Sequence, residues 1–195
     1  MYRESVEPHP VRHLAPDEPA AVQLMDTVWA DRAGVHDALT SVADLRGFLS
    51  ELPGEPVGRV TAADLARARS LRDALRWLAA DVTGDDRVGA GTGLTERAAL
   101  AALDAALAAA PPPVLRRVDG QWRLGAGRRT VPAVLAELAL EGAALAADPD
   151  RPLRACRAPG CVLYFVKDHP RREWCGVTCG NRVRAARHYA RVRRR

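Results

Sequence analysis

Cys156-Arg-Ala-Pro-Gly-Cys161 and Cys175-Gly-Val-Thr-Cys179 hold all four cysteines of a 195-residue chain. Four residues lie inside the first pair, three inside the second, and 13 between the pairs. Two chelating pairs on a connector of that size have the spacing of a structural zinc site, with Cys156, Cys161, Cys175 and Cys179 as ligands. A redox dithiol would show Cys-x-x-Cys, an iron–sulfur cluster follows a different run, and buried structural thiols do not come in two pairs. His169 and His188 could each replace a cysteine. His188 lies nine positions beyond Cys179, however, and His169 sits in a polar, proline-containing connector, so the four cysteines are expected to suffice.

Local chemistry agrees with that reading. Pro159-Gly160 and Gly176 are expected to turn the backbone so that the thiolates of a pair face one ion and receive N–H bonds on sulfur. Val162-Leu163-Tyr164-Phe165-Val166 is strand-like and apolar, a small cover for the metal, and Trp174 abuts the second pair. A module this small has little core, so one Zn2+ should carry much of its folding free energy.

Beyond the cysteines, residues 181–195 contain no Pro or Gly and read as a helix. Val183, Ala186 and Ala190 form a narrow apolar face that can dock on the metal module. Arg184, Arg187, Arg191 and Arg194 recur at three- and four-residue steps on another face, flanked by Arg182 and Arg193, with His188 among them. Arginine suits phosphate because its planar fork donates two parallel hydrogen bonds, and it can read guanine in a major groove. Lys167, Arg171 and Arg172, in the connector between the cysteine pairs, offer a second contact. Asn181 could read adenine, although its place just after Cys179-Gly180 better suits a helix cap.

Charge separates the tail from the rest. Residues 1–150 carry 16 Arg against 22 Asp and Glu, a net of −6, whereas residues 151–195 carry 13 Lys and Arg against two acids, a net of +11. A basic tail on an acidic body is aimed at a polyanion, because self-repulsion of like charges is relieved by an opposite one. Hydrophobic residues make up 48% and charged residues 27%, which excludes wholesale disorder. No apolar run approaches the roughly 18 residues of a membrane span, and the polar N-terminal stretch lacks a signal core, so a cytoplasmic protein is expected.

The first 150 residues read as mostly helical. Val22, Met25 and Trp29 set a helix over 19–30, and Ser41 with Asp44 caps a short one that Pro53-Gly54 ends. The strongest period is Leu65, Ala68, Leu71, Leu75, Leu78 and Val82, opposite Arg67, Arg69, Arg72, Asp73 and Arg76. Gly84 to Gly93 reads as a mobile loop before an Ala/Leu helix over 95–110, stopped by Pro111-Pro112-Pro113. Val114–Val118 and Gln121–Leu124 alternate around Asp119-Gly120, a hairpin signature, and a last helix runs from Thr130 to about Ala147 with Leu135, Leu138 and Leu145 inward. Trp29, Trp77 and Trp122 are expected in the core.

The string Trp174-Cys175-Gly176-Val177-Thr178-Cys179-Gly180-Asn181-Arg182, with His188-Tyr189-Ala190-Arg191 downstream, resembles the CGNR zinc-finger family of bacterial regulators. Upstream, the Met25-Asp26-Thr27 and Asp44-Leu45 helices, the Leu65–Val82 helix and the hairpin ending Gln121-Trp122-Arg123-Leu124 look like the companion ABATE domain. The connector Lys167-Asp168-His169-Pro170 departs from the Ser/Asn-rich version of relatives. The resemblance implies a zinc-dependent DNA-binding tail and a regulatory or sensing domain before it.

The expected fold is mainly α with a small β-hairpin. A helical domain spans 1–149, and 150–195 form a treble-clef-like or ribbon-like finger ending in a basic helix. The expected function is a DNA-binding transcriptional regulator with a small-molecule or protein effector; homodimerisation is left open. A finger gripping RNA or an acidic protein surface is the alternative. Catalysis is not expected, since four thiolates close the metal and His36 is the body's only histidine beyond the leading segment, with no nucleophile constellation around it.

Overall fold

The computed structural model describes residues 17–125, 129–150 and 153–193. Its longest element, α3 (Ala62–Thr83), is set by a reciprocal cap: Thr61 Oγ1 accepts from the Asp64 N–H, and Asp64 accepts from the Thr61 N–H at 3.0 Å. The same box, Ser41 with Asp44, starts α2 (Val42–Glu51). Thr95 and Thr130 hydroxyls each accept an N–H from three residues on, starting α4 (Glu96–Ala108) and α5 (Val131–Ala147). Helices α3, α4 and α5 pack together with the short α1 (Ala20–Met25). Their core combines Leu24, Leu71, Leu75, Val134 and Leu138 with Ala68, Ala74, Ala99 and Ala139, small residues that bring helix axes close. No helix among the described residues is long and apolar enough to cross a membrane.

The helix expected over 19–30 ends at Met25. Asp26 leaves the helical path because its carboxylate turns inward to accept from the Tyr164 N–H at 2.9 Å. Val28–Ala30 instead forms β1, paired antiparallel with β2 (Val35–Asp37), and Trp29 stacks on His36 with ring centroids 4.3 Å apart. A β-branched and aromatic run, Thr27-Val28-Trp29, favours this outcome over a helical continuation.

The expected hairpin is present as β3 (Val114–Val118) and β4 (Gln121–Gly125). Asp119 and Gly120, at φ 50° and 78°, make a primed turn that follows the natural strand twist. Both strands are exposed throughout, and Trp122 lies 67% exposed beneath Arg117 rather than in the core. Of the three tryptophans expected inside, Trp77 alone packs against the main core cluster.

The polar side of α3 also differs from expectation. Arg72 and Arg76 are buried, and each has several partners. Arg72 binds Asp37 at 2.6 Å and Asp73 at 2.9 Å, while Arg76 donates to the carbonyls of Met25, Ala90 and Val162. A guanidinium can be buried when its donors all find acceptors.

The last part of the chain adds β5 (Leu153–Ala155), β6 (Tyr164–Val166) and α6 (Val177–Val192). Leu153, Ala155, Tyr164 and Val166 belong to the same buried cluster as α1, α3 and α5.

Candidate metal centre and basic helix

Strand β6 places the site. Its alternation sends Tyr164 and Val166 into the main core, while Phe165, facing the other way, joins Cys156, Ala158, Cys161, Cys179 and Val183 in a second cluster. The apolar cover anticipated for 162–166 is therefore shared between two cores. Leu163, Trp174 and Cys175 pack at the margin of the second.

The first cysteine pair is a tight knuckle. Cys161 N–H donates to the Ala158 carbonyl at 3.0 Å, and Gly160 supplies the left-handed φ of 70° that this turn needs. Gly176 plays a different part from the one expected: its φ of −171° is ordinary extended backbone, and it caps α6. Cys179 therefore sits in the first turn of that helix. Among the described residues one N–H reaches sulfur, from Cys175 to Cys156 Sγ at 3.5 Å.

The four Sγ atoms all lie within 4.8 Å of one another, with Cys161–Cys175 at 3.8 Å and Cys175–Cys179 at 3.5 Å. No disulfide joins them. Tetrahedral zinc with Zn–S near 2.3 Å requires S···S edges of about 3.8 Å, so the donor set fits that ion. Hydrogen bonding among the sulfurs draws Cys156 below the usual thiol range and drives Cys161 and Cys175 above it. Four thiolates at this spacing need a dication to coexist. His169 and His188 stand outside the cluster: His169 Nδ1 accepts from the Arg171 N–H, and the His188 ring lies edge-on to Tyr189.

Helix α6 starts at Val177, four residues before the expected Asn181. Asn181 is thus inside the helix and is not its cap; its Oδ1 accepts from Arg184. Val183 docks on the metal cluster with Cys179 and Gly180, whereas Ala186 and Ala190 remain exposed. Arg184, Arg187, His188 and Arg191 are exposed along the helix, and Arg194 lies outside the described residues.

Among the other cations singled out from sequence, Arg171 is exposed and Lys167 half-buried. Arg172 is committed within the fold. It pairs with Glu18 and, at 3.4 Å, with Asp168, and donates to the carbonyls of Val166 and Cys175. Arg182 donates to the Pro159 carbonyl at 2.9 Å, clamping the first knuckle.

Sequence reading missed the groups that tie the knuckles to the body. Glu18 and Asp26, 5% and 3% exposed, accept from the N–H groups of Val166 and Tyr164 and so close the free edge of β6. Burial holds both carboxyls above the usual range, with those N–H bonds opposing it. The Gly84–Gly93 segment, expected to be a mobile spacer, supplies Arg87, whose Nη1 donates to the carbonyls of Cys156, Cys161 and Leu163 at 2.8, 3.1 and 3.0 Å. Asp85 grips the other edge of Arg87 and accepts from the Tyr164 hydroxyl. One signal for the buried arginines was available: Leu65, Ala68, Arg72, Arg76 and Ala79 follow a single helical stripe.

A helical body carrying a four-cysteine metal site and a basic terminal helix defines a zinc-finger protein. Family models specify it further: residues 152–192 match the CGNR zinc finger and residues 18–149 match ABATE, described as "Putative stress-induced transcription regulator". The chain belongs to the ABATE family, and its CGNR zinc finger takes one zinc ion. Neither family is a family of enzymes. No curated protein and no solved structure matches it.

Proposed function

We propose that this chain is a transcriptional regulator that grips double-stranded DNA through α6, with zinc on Cys156, Cys161, Cys175 and Cys179 holding that helix in place. Zinc contributes charge neutralisation and a cross-link between the two pairs; the closed donor set leaves no open position for a substrate. The observation that carries the reading is the exposed run Arg184, Arg187 and Arg191 on a helix without a single acidic residue. Phosphates along a duplex match such a run by bidentate hydrogen bonding and by release of condensed counterions. Arg171 and Lys167 are placed to add contacts from the connector.

The body would bind an effector. A groove of about 810 Å3 lined by Pro53, Leu107, Arg116, Arg129, Ala136 and Leu140 supports this part, because its size and mostly apolar wall suit a small molecule.

Binding to labelled duplex DNA, measured against salt, tests the proposal. Wild type should lose affinity steeply with salt, and the triple variant Arg184→Ala/Arg187→Ala/Arg191→Ala should flatten the log–log slope by about 2.7. Tighter binding to structured RNA would move the assignment to RNA, and no binding to either at low salt would sink the nucleic-acid reading.

A further inference from the structure

We infer that Arg87 and Arg172 are part of the metal centre: each orients one cysteine pair and turns positive charge towards a zinc site that is otherwise left anionic. This rests on the four-cysteine ligand assignment proposed above. Four thiolates and one Zn2+ carry a net charge of −2 in a cluster where three of the cysteines are buried. Buried charge is tolerated when compensating dipoles and hydrogen bonds surround it. One backbone N–H on sulfur does little of that work, so the compensation has to come from elsewhere.

Each arginine reaches the backbone of one cysteine pair. Arg87 lays Nη1 on the carbonyls of Cys156 and Cys161, both members of the first pair, and on Leu163 between the knuckle and β6. Arg172 lays Nη2 on the carbonyl of Cys175, from the second pair, and Nη1 on Val166. Each guanidinium is paired with a buried carboxylate from the N-terminal body, Asp85 for Arg87 and Glu18 for Arg172, with 0% and 1% side-chain exposure. Each guanidinium also covers an aromatic ring of β6 at 5.1 Å, Tyr164 for Arg87 and Phe165 for Arg172. Ion pair, ring and carbonyls together hold each fork: Arg87 turns Nη1 to the cysteine carbonyls and its Nε and Nη2 to Asp85, while Arg172 bridges the Cys175 carbonyl and Glu18 with one nitrogen, Nη2, and meets Asp168 through Nη1 at 3.4 Å.

Two consequences set this apart from ordinary packing. Fixing the carbonyls of Cys156, Cys161 and Cys175 fixes the knuckle backbones, hence the directions of the thiolates. Moreover, Arg87, Asp85 and Glu18 lie outside residues 152–192, so the metal centre is completed by the body and not by the finger segment alone.

The test uses the full chain, stripped of metal and reloaded, with zinc affinity read by competition against a chromophoric chelator. Arg87→Met and Arg172→Met should each raise the zinc dissociation constant about 10- to 100-fold. Arg87→Lys, which keeps the charge without the fork, should recover part of the loss. Because Arg87→Met strands Asp85, the neutral pair Asp85→Asn/Arg87→Met is measured beside it and should bind zinc as weakly. Cobalt loading should show a displaced thiolate charge-transfer band in both Met variants. Arg69→Met is the control, an arginine on the Leu39 carbonyl far from the cysteines, and should change neither affinity nor band. Folded Met variants, judged by wild-type helix content, that hold zinc within about twofold of wild type would overturn the inference while leaving the ligand assignment intact. Wild type that bound no zinc would overturn both.

Discussion

Tyr164 shows how one residue joins the two halves of the molecule. Its hydroxyl donates to Asp85 at 2.8 Å, its N–H donates to Asp26, and its ring meets the guanidinium groups of Arg76 and Arg87 at 5.2 and 5.1 Å. Burial, reinforced by the bond to Asp85, pushes the phenol from 10 up to about 12. A phenol that ionises later in the folded state stabilises that state fully below pH 10, and the contribution drains away as pH rises towards 12. Tyr164→Phe should therefore cost about 2 kcal/mol at pH 8, the worth of a hydrogen bond to a charged group. Denaturation midpoints of the two proteins should converge as pH climbs from 10 to 12; parallel curves over that range would show that the phenol does not titrate in the fold.

Residues whose partners are near in sequence were legible in advance, and those with distant partners were not. The Ser41/Asp44 pair could be read as a cap because both members lie in one turn. The four cysteines were readable because chelation imposes short spacings. Asp26 and Glu18 serve strand N–H groups 138 and 148 positions away, and nothing around them distinguishes them from surface acids. The bonds of Arg182 to the Pro159 carbonyl, 23 positions away, and of Asn181 to Arg184 from inside the helix were not legible in that basic run either.

Among the elements, α3 and α5 approach closely at Gly142. A Cβ at Gly142 would stand 2.4 Å from Leu75 Cδ2 and 3.4 Å from Ala21 Cβ. Leu75 is 1% exposed and has no room to retreat. Alanine gains about 1 kcal/mol of helix propensity over glycine, but overpacking at such a contact costs about 1–3 kcal/mol. Gly142→Ala should thus lose up to about 2 kcal/mol in urea denaturation. In the double variant with Leu75→Ala the two costs should fall short of their sum, since the clash then has no second atom. A Gly142→Ala protein more stable than wild type would mean that the helices do not meet there.

Helix periods of 3.6 located α2 to α5 within a residue or two, because each buries one face and each carries a local cap. Two elements escaped that logic. Helix α1 stops where a long-range hydrogen bond claims Asp26, and α6 begins early because the second cysteine pair needs its first turn to present Cys179. In both cases the boundary is set by tertiary demand rather than by propensity.

At the scale of the molecule, two apolar clusters are joined by a polar seam in which Arg76, Arg87, Asp85, Asp26 and Glu18 all find partners across the junction. No buried side-chain N or O among the described residues lacks a hydrogen-bond partner. Such a seam is strong only while both sides hold their shape, since a half-satisfied network is costly. Chelating the zinc should therefore loosen more than residues 153–193. Hydrogen exchange measured with and without metal should rise also in Gly84–Gly93 and around Asp26. Changes confined to the finger would show that the seam does not transmit the loss.

The edge of β6 has a consequence for how such chains can be recombined. A finger moved onto a foreign body would arrive with the Tyr164 and Val166 N–H groups bare and with Arg172 left to the exposed Asp168 alone. Its new host would have to bring a glutamate, two aspartates and an arginine in register with the strand. The finger is therefore not a portable cassette, and inheritance should preserve positions 18, 26, 85 and 87 together with the cysteines they never touch in sequence.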